Sequence, residues 1–571
     1  MNLEPLLPSI LRRRPSTPTG LREPPILSGA LPVVGHTVEF VRDTIGLLSR
    51  AQRELGSVAT LEIVGKKMVA VFGPEANEAV FRAPDSQLNP SEAYKIMTPI
   101  FGKDVVYDAP PEKMGEQFKM LLPALKDRRM RTYGEVVVGE VEESIASWGD
   151  EGELDLGEYC RVLTNYTSSH CLLGREFRKG MTEEFAAVYH SLERGVTPIA
   201  YLNAHLPLPS FRERDRARVR LEEMVTQIIL ERRRAGREGE DFLQTLMDAR
   251  YKSGAGLTEH EITGMLVAAL FAGHHTSSVT TAFSIIELVS HPEYLSRVQA
   301  ELDQAFGAGQ EVGFATLRNI PLTERTVLEV LRLHPPLFML VRVAMEDFVY
   351  DGYFIPKGTW VLTSPTVTHR IPALFRNPEA FDPERFAPPR EEDKRDFAFI
   401  PFGGGRHKCM GNAFALLQIK AILAILLRRY DFELVDGRVE SDFQGLVVGP
   451  KDPCRVRYRR RNVAAHVRAT STSTSTNGAN ANANASTSTN GATCPFHVPA
   501  ETKRPGGFRV VVDLDLCQSH AVCAGEVPEV FRVDGLGKVT LLDPTPPAEL
   551  RAKVEAAERY CPTGTIRIEE L

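Results

Sequence analysis

Cys409 lies in the stretch of the chain whose residue types point most directly to chemistry, F-G-G-G-R-H-K-C-M-G at positions 402–411. An apolar run at 412–427 follows and predicts a long helix, so the thiol would lie near a helix N-terminus. Free N–H groups and the helix dipole stabilise a thiolate at such a position. Glycines at 403–405 would let the backbone approach a flat ligand closely, and Gly411 removes a side chain that would collide with it. A buried, inert cysteine is the ordinary alternative.

The same stretch resembles the haem-binding loop of the cytochrome P450 family, whose pattern is F-x-x-G-x-[HR]-x-C-x-G. The resemblance implies that Cys409 is the axial ligand of haem b, where a thiolate donates electron density to the iron and favours O–O cleavage. It also implies a mostly α-helical fold with small β-sheets. The loop residues that it assigns to haem contacts, with His407 as a donor to a propionate, are Phe402, Gly405, His407 and Gly411.

Composition places the chain among soluble globular proteins. Its 571 residues are 43% hydrophobic and 25% charged, and the net charge of -6 gives no reason to expect nucleic acid as a partner. We expect no transmembrane helix, because no apolar run reaches about 20 residues. Eight cysteines are too few and too scattered for a disulfide scaffold, which favours a reducing, cytoplasmic location. We expect a monomer. The Val- and Ile-rich stretch at 58–72 predicts a β-hairpin.

The longest predicted helix carries the second chemical motif. A capping box formed by Thr258 and Glu261 predicts its start, and it would run to Ser290, a length of about 50 Å at 1.5 Å per residue. Its centre reads F-A-G-H-H-T-S-S, with a glycine at position 273. A glycine in a helix interior costs about 1 kcal/mol relative to alanine, so this one needs a reason.

The resemblance supplies that reason. In the P450 family a small residue and a glycine, here Ala272 and Gly273, let the helix distort over the haem face and bind O2. Thr276 would be the alcohol that delivers protons, but His275 stands where the family has an acid. A histidine can shuttle protons near neutral pH. Since adjacent helical residues point about 100° apart, we expect His274 to lie in the core rather than face the iron.

Glu329 and Arg332 have the i, i+3 spacing of an ordinary surface ion pair on a helix. The resemblance implies instead that they form a buried charge network with Arg385, which lies in P-E-R-F at 383–386. Such a network is costly unless it is fully paired. The resemblance assigns three further residues to the haem propionates: Tyr94, Lys113 and Arg342.

Residues 94–108, Y-K-I-M-T-P-I-F-G-K-D-V-V-Y-D, resemble the substrate-side loop of the sterol 14α-demethylases within that family. The H-H-T motif and E-R-G-V-T-P-I-A-Y at 193–201 point the same way, although Thr197 replaces an Asp common in bacterial relatives. The resemblance covers residues 30–460. It implies three successive oxidations by O2 at the sterol 14-methyl group, which leaves as formate.

The sterol pocket is assigned by the same resemblance. For each of its apolar residues, ordinary core packing is the alternative. These residues are Ile96, Met97, Phe101, Phe271, Leu337, Met339, Leu446 and Val447. Ile96 is smaller than the phenylalanine of some relatives and leaves room beside the sterol 4-position. Lanosterol-like 4,4-dimethyl sterols are therefore the predicted substrates.

The C-terminal region has the spacing of a second redox centre. Cys517 and Cys523, in C-Q-S-H-A-V-C, and Cys561, in C-P, resemble the cluster ligands of bacterial ferredoxins, with His520 where the middle cysteine would be. Three thiolates favour a 3Fe–4S cluster, and a 4Fe–4S cluster with His520 as an additional ligand is the alternative. A zinc site would need a compact set of four ligands. The runs at 510–512 and 565–568 predict the terminal strands of a small α+β domain.

We therefore divide the chain into a haem-thiolate monooxygenase domain at 1–462, a flexible linker at 463–505 and a ferredoxin domain at 506–571. From residue 508 onward 11 acidic residues outnumber 7 basic ones, which suits docking on a basic cluster of Lys126, Arg128, Arg129 and Arg131. Tethering would raise the effective concentration to the order of mM. Since no G-x-G-x-x-G follows a strand, NAD(P)H would act through a separate ferredoxin reductase.

Two alternatives remain at this level. Pocket residues do not fix a substrate, so the chain could hydroxylate another terpenoid or a hopanoid. A haem-based redox or ligand sensor, with the ferredoxin as its signalling module, would need no productive O2 chemistry.

Overall fold

The computed structural model describes residues 17–63, 65–121, 125, 127–174, 178, 183–195, 204–236, 241–307, 312–437, 439–443, 447–461, 507–512, 514, 522–533, 539–561 and 565–570. The predicted linker and part of the cluster motif lie outside these residues. The domain boundaries that we inferred at 462 and 506 therefore stay predictions.

Helices dominate the chain up to residue 461. Before the longest helix they are α1 (Thr37–Arg42), α2 (Thr44–Leu55), α3 (Pro74–Arg82), α4 (Pro90–Tyr94), α5 (Thr98–Phe101), α6 (Pro111–Leu121), α7 (Asp127–Ile145), α8 (Leu156–Leu173), α9 (Glu183–Glu193), α10 (Pro209–Ala235) and α11 (Phe242–Asp248). The longest helix and those after it are α12 (Glu259–Ser290), α13 (Pro292–Ala305), α14 (Phe314–Leu317), α15 (Pro321–Leu333), α16 (Pro365–Thr368) and α17 (Asn412–Arg429).

The sheets of this part are small. Their strands are β1 (Val58–Ile63), β2 (Lys66–Val71), β3 (Leu88–Asn89), β4 (Glu151–Asp155), β5 (Leu340–Ala344), β6 (Phe348–Tyr350), β7 (Tyr353–Ile355), β8 (Trp360–Thr363), β9 (Tyr430–Leu434), β10 (Ser441–Asp442), β11 (Gly449–Pro450) and β12 (Arg455–Arg460). The largest sheet has the order β1-β2-β8-β5-β3, and β4-β12-β9 form a second one. The predicted hairpin is confirmed, since β1 and β2 pair antiparallel with Val58 opposite Val71.

The longest helix, α12, is the centre of the core. Its predicted ends are confirmed: the Thr258 side chain accepts a hydrogen bond from the Glu261 N–H in a capping box, and the helix ends at Ser290. Most of its residues are buried, as expected for a helix surrounded by others on all sides. It packs against α8, α10, α15 and α17. The helix stays α-helical through Gly273, so the distortion expected there is not present.

The C-terminal region forms a separate small core. Its elements are β13 (Phe508–Val512), α18 (Val522–Glu526), β14 (Phe531–Val533), β15 (Val539–Leu541), α19 (Arg551–Tyr560) and β16 (Ile566–Glu570). The two end strands, β13 and β16, pair antiparallel, and β14 pairs with β15. Phe508, Val527 and Val554 are fully buried between these strands and the helices. The predicted small α+β domain with paired terminal strands is confirmed.

Candidate active site

The loop that carries Cys409 reaches the protein interior ahead of α17. The Cys409 N–H donates to the Phe402 carbonyl over 2.9 Å, which closes the loop, and Gly411 is the N-cap of α17. Burial raises the pKa of the Cys409 thiol, while the Gly411 N–H and the Lys408 ammonium act in the opposite direction. The sulfur is thus placed where a positively charged partner would favour the thiolate.

Accessible surface remains near the Cys409 loop. Cys409 keeps accessible surface, and so does Ala272 at the middle of the core helix α12. A Cβ added to Gly273 would lie 3.7 Å from the ring of Phe414, in the first turn of α17. A flat cofactor bound through a thiolate fits this arrangement.

Two glycines of the loop allow a close contact with α3 that the sequence analysis did not predict. A Cβ on Gly405, whose φ is +61°, would lie 2.1 Å from the Phe81 carbonyl oxygen, and one on Gly404 would lie 2.9 Å from the Phe81 ring. These glycines therefore allow the loop to pack against α3 rather than against a ligand. Gly403 has φ of +68° and room for a side chain, since a Cβ there would lie 3.8 Å from the nearest atom of Leu340.

Arg342 fits a propionate. Its guanidinium is 6% exposed and donates to the Val341 carbonyl over 3.0 Å, and among the described residues it has no carboxylate within 4 Å. Burial lowers its pKa, and the nearby Tyr94 and Tyr107 partly offset this effect. The two tyrosine rings stack with centroids 5.3 Å apart. A buried cation without an anionic partner is costly, so an anionic group of a cofactor would stabilise this region.

Two residues predicted to bind propionates have other partners. The Lys113 ammonium lies 2.8 Å from Glu261 Oε1, so it braces the N-terminus of α12. His407 Nε2 lies 2.7 Å from Asp85 Oδ1. Each side chain thus contacts a carboxylate of the protein, and its assignment to a propionate stays a prediction.

The predicted charge network is present and fully buried. Arg332 makes two hydrogen bonds to the Glu329 carboxylate, at 2.8 and 2.9 Å, and Arg385 makes one at 3.0 Å. Carbonyl oxygens accept most of the remaining guanidinium hydrogens, among them those of His369 and Ala380. Glu392, which the sequence analysis missed, accepts from Arg385 over 2.6 Å. Its position in the charged stretch E-E-D-K-R-D gave it the pattern of a surface residue.

The centre of α12 brings Thr276 and both histidines together with an unpredicted residue. The Thr276 hydroxyl donates to the Ala272 carbonyl over 2.6 Å. Glu193, at the end of α9, has its Oε1 atom 2.9 Å from His275 Nε2 and 3.2 Å from His274 Nδ1. His274 is 2% exposed, as expected for a core residue, and its Nε2 lies 2.8 Å from the Arg161 carbonyl oxygen.

The electrostatics of this group favour an ionised carboxylate beside a neutral imidazole. Burial raises the pKa of Glu193, but the two histidines outweigh it and bring the value to about 2. Burial is also the main reason that the pKa of His274 is lowered. The sequence offered one signal, the glutamate at the start of the 193–201 stretch, but no spacing rule connects it to α12.

Several residues that we predicted to line the pocket pack against α12. Ile96, Met97 and Phe101 are buried in one apolar cluster, against which Phe271 packs, and the Phe101 and Phe271 rings meet edge to face at 6.2 Å. A Cβ on Gly264 would lie 2.1 Å from the Phe101 carbonyl oxygen, so α12 holds this loop at close range.

The other described residues that we predicted to line the pocket are less closely packed. The Val448 N–H donates to the Pro336 carbonyl over 2.9 Å, which brings the neighbouring, partly buried Val447 and Leu337 to one wall. Met339 packs in a different cluster, together with Tyr94. Leu446 lies outside the described residues.

Comparison with known proteins agrees with this geometry. The family model described as cytochrome P450 matches residues 24–456. The chain belongs to the cytochrome P450 family. Its fold is accordingly similar to that of the retinoic-acid-bound cyanobacterial CYP120A1, with a TM-score of 0.68 and 26% identity over 77% of this chain and all of that one. The sequence-based assignment to a P450 monooxygenase is confirmed.

The similar sequences include sterol demethylases from three kingdoms. A sterol 14α-demethylase of Mycolicibacterium vanbaalenii is 44% identical over 78% of this P450 and 99% of the relative. A sterol 14-demethylase of Arabidopsis thaliana is 41% identical over 78% and 92%, and a lanosterol 14α-demethylase of Bos taurus is 36% identical over 78% and 90%. Within the described residues, no helix of this P450 combines the length and low polarity needed to cross a membrane.

A second family model, described as a 4Fe–4S single cluster domain, matches residues 510–568. Within this range Cys523 is buried in α18, and Cys561 follows α19 and packs against the same core. The Cys561 sulfur lies 3.2 Å from the Thr565 hydroxyl oxygen. Cys517 and His520 lie outside the described residues. The P450 thus carries an iron–sulfur domain at its C-terminus, and the number of irons stays a prediction.

Proposed function

We propose that this P450 removes the 14α-methyl group of a sterol, with lanosterol-like 4,4-dimethyl sterols as substrates. The observation that carries the proposal is the close packing of the 94–108 loop on α12, which sets Phe101 against Phe271 beside the helix centre. An apolar wall held by backbone contacts suits a rigid, apolar ring system. The names of the similar proteins support the same class of substrate.

Haem b is the cofactor that the site fits. Cys409 would bind its iron, Arg342 would neutralise a propionate, and Ala272 and Gly273 would leave space for it beside α12. When bound, the haem supplies the activation of O2. Phe402, Gly405 and Gly411 shape the loop around the sulfur, and Tyr94 supports Arg342. Glu329, Arg332 and Arg385 join α15 to the segment at 369–385 and hold it in place.

Protons would reach the site through Thr276 and His275. The Thr276 hydroxyl now donates to a backbone carbonyl, and its oxygen can accept a hydrogen bond from a bound water. The carboxylate of Glu193 holds His275 at 2.9 Å, so an acid from α9 takes the place of the acid missing before the threonine. This arrangement can hold a proton at His275 Nε2 without exposing α12 to bulk water.

Electrons would come from the C-terminal domain. Cys517, Cys523 and Cys561 would hold the cluster, and we retain a 3Fe–4S cluster because only three cysteines are available, with His520 as the ligand of the 4Fe–4S alternative. A separate NAD(P)H-dependent reductase would reduce it, in a monomer located in the cytoplasm. We place the linker at 463–505.

The structure offers a docking contact other than the basic cluster that we expected. Lys126 and the Arg128 side chain lie outside the described residues, and Arg131 is exposed. A Cβ on Gly525, in the helix that carries Cys523, would lie 3.1 Å from Arg82 Nη2. Arg82 ends α3, and its neighbour Phe81 contacts the Cys409 loop. We therefore place the electron entry at Arg82.

The test is incubation of the full-length protein with NADPH, a ferredoxin reductase and either lanosterol or a 4-monomethyl sterol. We expect loss of the 14-methyl group from lanosterol, with one formate per product. Hydroxylation of a terpenoid or hopanoid without formate would favour the first alternative function. A change of redox state without sterol-dependent NADPH consumption would favour the haem sensor.

A further inference from the structure

Three ligand-type atoms converge on one point beside α12. Glu193 Oε1, His274 Nδ1 and His275 Nε2 all lie within 4.8 Å of one another. Two of the separations are 2.9 and 3.2 Å. Ligands at about 2.0–2.1 Å from a tetrahedral zinc ion lie about 3.3 Å apart, so a cation fits among these atoms with small side-chain movements.

The hydrogen bonds of His274 direct a lone pair to this point. Its Nε2 lies 2.8 Å from the Arg161 carbonyl oxygen, which can only accept, so Nε2 carries a hydrogen. In the neutral ring Nδ1 is then an acceptor, and it faces another acceptor, Glu193 Oε1. Both atoms are buried and have no hydrogen-bond partner of good geometry among the described residues. Two facing acceptors require a positive species between them.

The charge of Glu193 is also uncompensated by fixed cations. Its ion-pair partners in the described chain are histidines only, the third being the exposed His190 at 3.8 Å from Oε2. Glu140 shows the usual solution, since it contacts His170 at 2.7 Å and Arg178 at 3.0 Å. Glu193 has no such arginine among the described residues.

We propose that Glu193, His274 and His275 form a binding site for a divalent cation of the zinc type. Two imidazoles and one carboxylate are a ligand set that binds Zn²⁺ with one position left for water. Buried Tyr189 and the partly buried Phe271 surround the site, with ring centroids 5.7 Å from His274 and 5.8 Å from His275.

A second glutamate with two histidines does not meet these conditions. Glu287 lies 2.7 Å from His334 Nε2 and 3.4 Å from His291 Nδ1. His291 Nδ1 also lies 2.8 Å from the Glu287 carbonyl oxygen, so it carries a hydrogen and offers no lone pair. The two histidines contact different carboxylate oxygens. Glu287 is therefore a matched control.

Bound zinc would have a consequence for turnover, and this step rests on the proposed function. The cation would take the lone pairs that hold a proton at His275 and so block delivery to Thr276. Zinc would then inhibit sterol oxidation reversibly, and a chelator would restore it. The binding site itself does not depend on this consequence.

The test uses the full-length protein with haem and cluster loaded, dialysed against Zn²⁺ and analysed for metal. We expect about one zinc per haem, with only nitrogen and oxygen neighbours in zinc-edge X-ray absorption. Glu193→Gln and His275→Gln should each lower zinc affinity at least about tenfold, while Glu287→Gln keeps it. Retention of the carbon monoxide band of the haem verifies folding of each variant.

Each opposite result overturns the site. Sulfur neighbours would place the zinc on the cluster cysteines, and equal binding by wild type and Glu193→Gln would place it elsewhere. Absence of stoichiometric zinc in wild type would overturn it directly. Stoichiometric zinc on these three residues without inhibition would contradict the proposed proton route while the cation site stands.

Discussion

The negative charges of two buried carboxylates in this P450 are stabilised by different kinds of partner. Glu329 lies between two arginines that are always charged, and the described carbonyls and Glu392 accept their remaining hydrogens. Glu193 lies between two histidines, and its Oε1 and His274 Nδ1 lack hydrogen-bond partners of good geometry among the described residues. The first arrangement admits one protonation state and one geometry. The second arrangement can gain or lose a proton or a cation. This suits a group that takes part in proton delivery rather than one that only stabilises the fold.

The largest effect is expected where the network leaves no freedom. Glu329→Gln keeps the shape but leaves the fully buried Arg332 without a counter-charge and Arg385 with Glu392 alone. We expect a loss of about 3–5 kcal/mol in the free energy of unfolding, measured with denaturant, together with poor recovery of haem-loaded protein.

The control for this prediction is an exposed pair. Asp436 contacts Arg455 at 2.6 Å with both side chains about half exposed, so Asp436→Asn should leave the free energy of unfolding close to that of wild type. If Glu329→Gln were as stable as this control, the network would not be the structural element that the comparison makes it.

The opposite outcome is expected at the second carboxylate. Glu193→Gln should change the free energy of unfolding by about 1 kcal/mol, because no arginine or lysine among the described residues loses an ion-pair partner. Sterol turnover should fall roughly 100-fold, the scale of a lost proton-transfer group. The measurement is product formed per NADPH consumed, since faulty proton delivery releases reduced oxygen instead of product.

Glu287 also contacts two histidines but lies away from the proton route. Glu287→Gln should therefore keep the wild-type ratio of product formed to NADPH consumed. A wild-type ratio of product formed to NADPH consumed in Glu193→Gln would show that α9 contributes no residue to proton delivery.

Some features of the site follow from local sequence patterns, whereas others depend on tertiary packing. The Cys409 loop, both ends of α12 and the 58–71 hairpin follow from local patterns of caps, turns and periodicity, and all three are present. The contact of Glu193 with α12 is different. It depends on how α9 packs across a helix that lies much later in the chain, and no local rule contains that information.

The contacts of two other predicted site residues depend on tertiary structure in the same way. Lys113 and His407 were assigned to a cofactor by type and position, but their carboxylate partners, Glu261 and Asp85, come from elsewhere in the chain. A long charged side chain takes the nearest carboxylate that folding provides, and only the tertiary structure identifies it.

A pH experiment can sharpen the contrast through His369, which adjoins the Glu329 network. Burial and the nearby Arg332 lower the pKa of His369 to about 3 from 6.5, and its Nε2 accepts from the Ile400 N–H over 2.9 Å. Between pH 6.5 and about 3 the unfolded chain binds a proton that the folded protein refuses. Stability must therefore fall on acidification, by about 1.4 kcal/mol per pH unit for this group.

His369→Gln keeps an acceptor for Ile400 and removes the titration. We expect a shallower decline of the free energy of unfolding between pH 6 and pH 4 than in wild type. His334→Gln, which alters a part-exposed histidine, is the control and should leave the slope closer to that of wild type. An unchanged slope in His369→Gln would mean that another group governs acid stability beside the network.

The smallest effect is expected at the surface, where an ion pair has little structural value. Arg82 contacts Glu78 at 2.9 Å, both side chains are more than 40% exposed, and the helix that carries Cys523 approaches the Arg82 guanidinium at Gly525. Arg82→Ala should leave the free energy of unfolding within about 1 kcal/mol of wild type. It should slow reduction of the haem through the cluster about fivefold, the equivalent of about 1 kcal/mol, and weaken the salt dependence of that rate.

The measurement is the growth of the carbon monoxide band after a reductase is added, with Arg455→Ala as the exposed control. If both variants reduced the haem equally fast, charge at the end of α3 would have no part in electron entry.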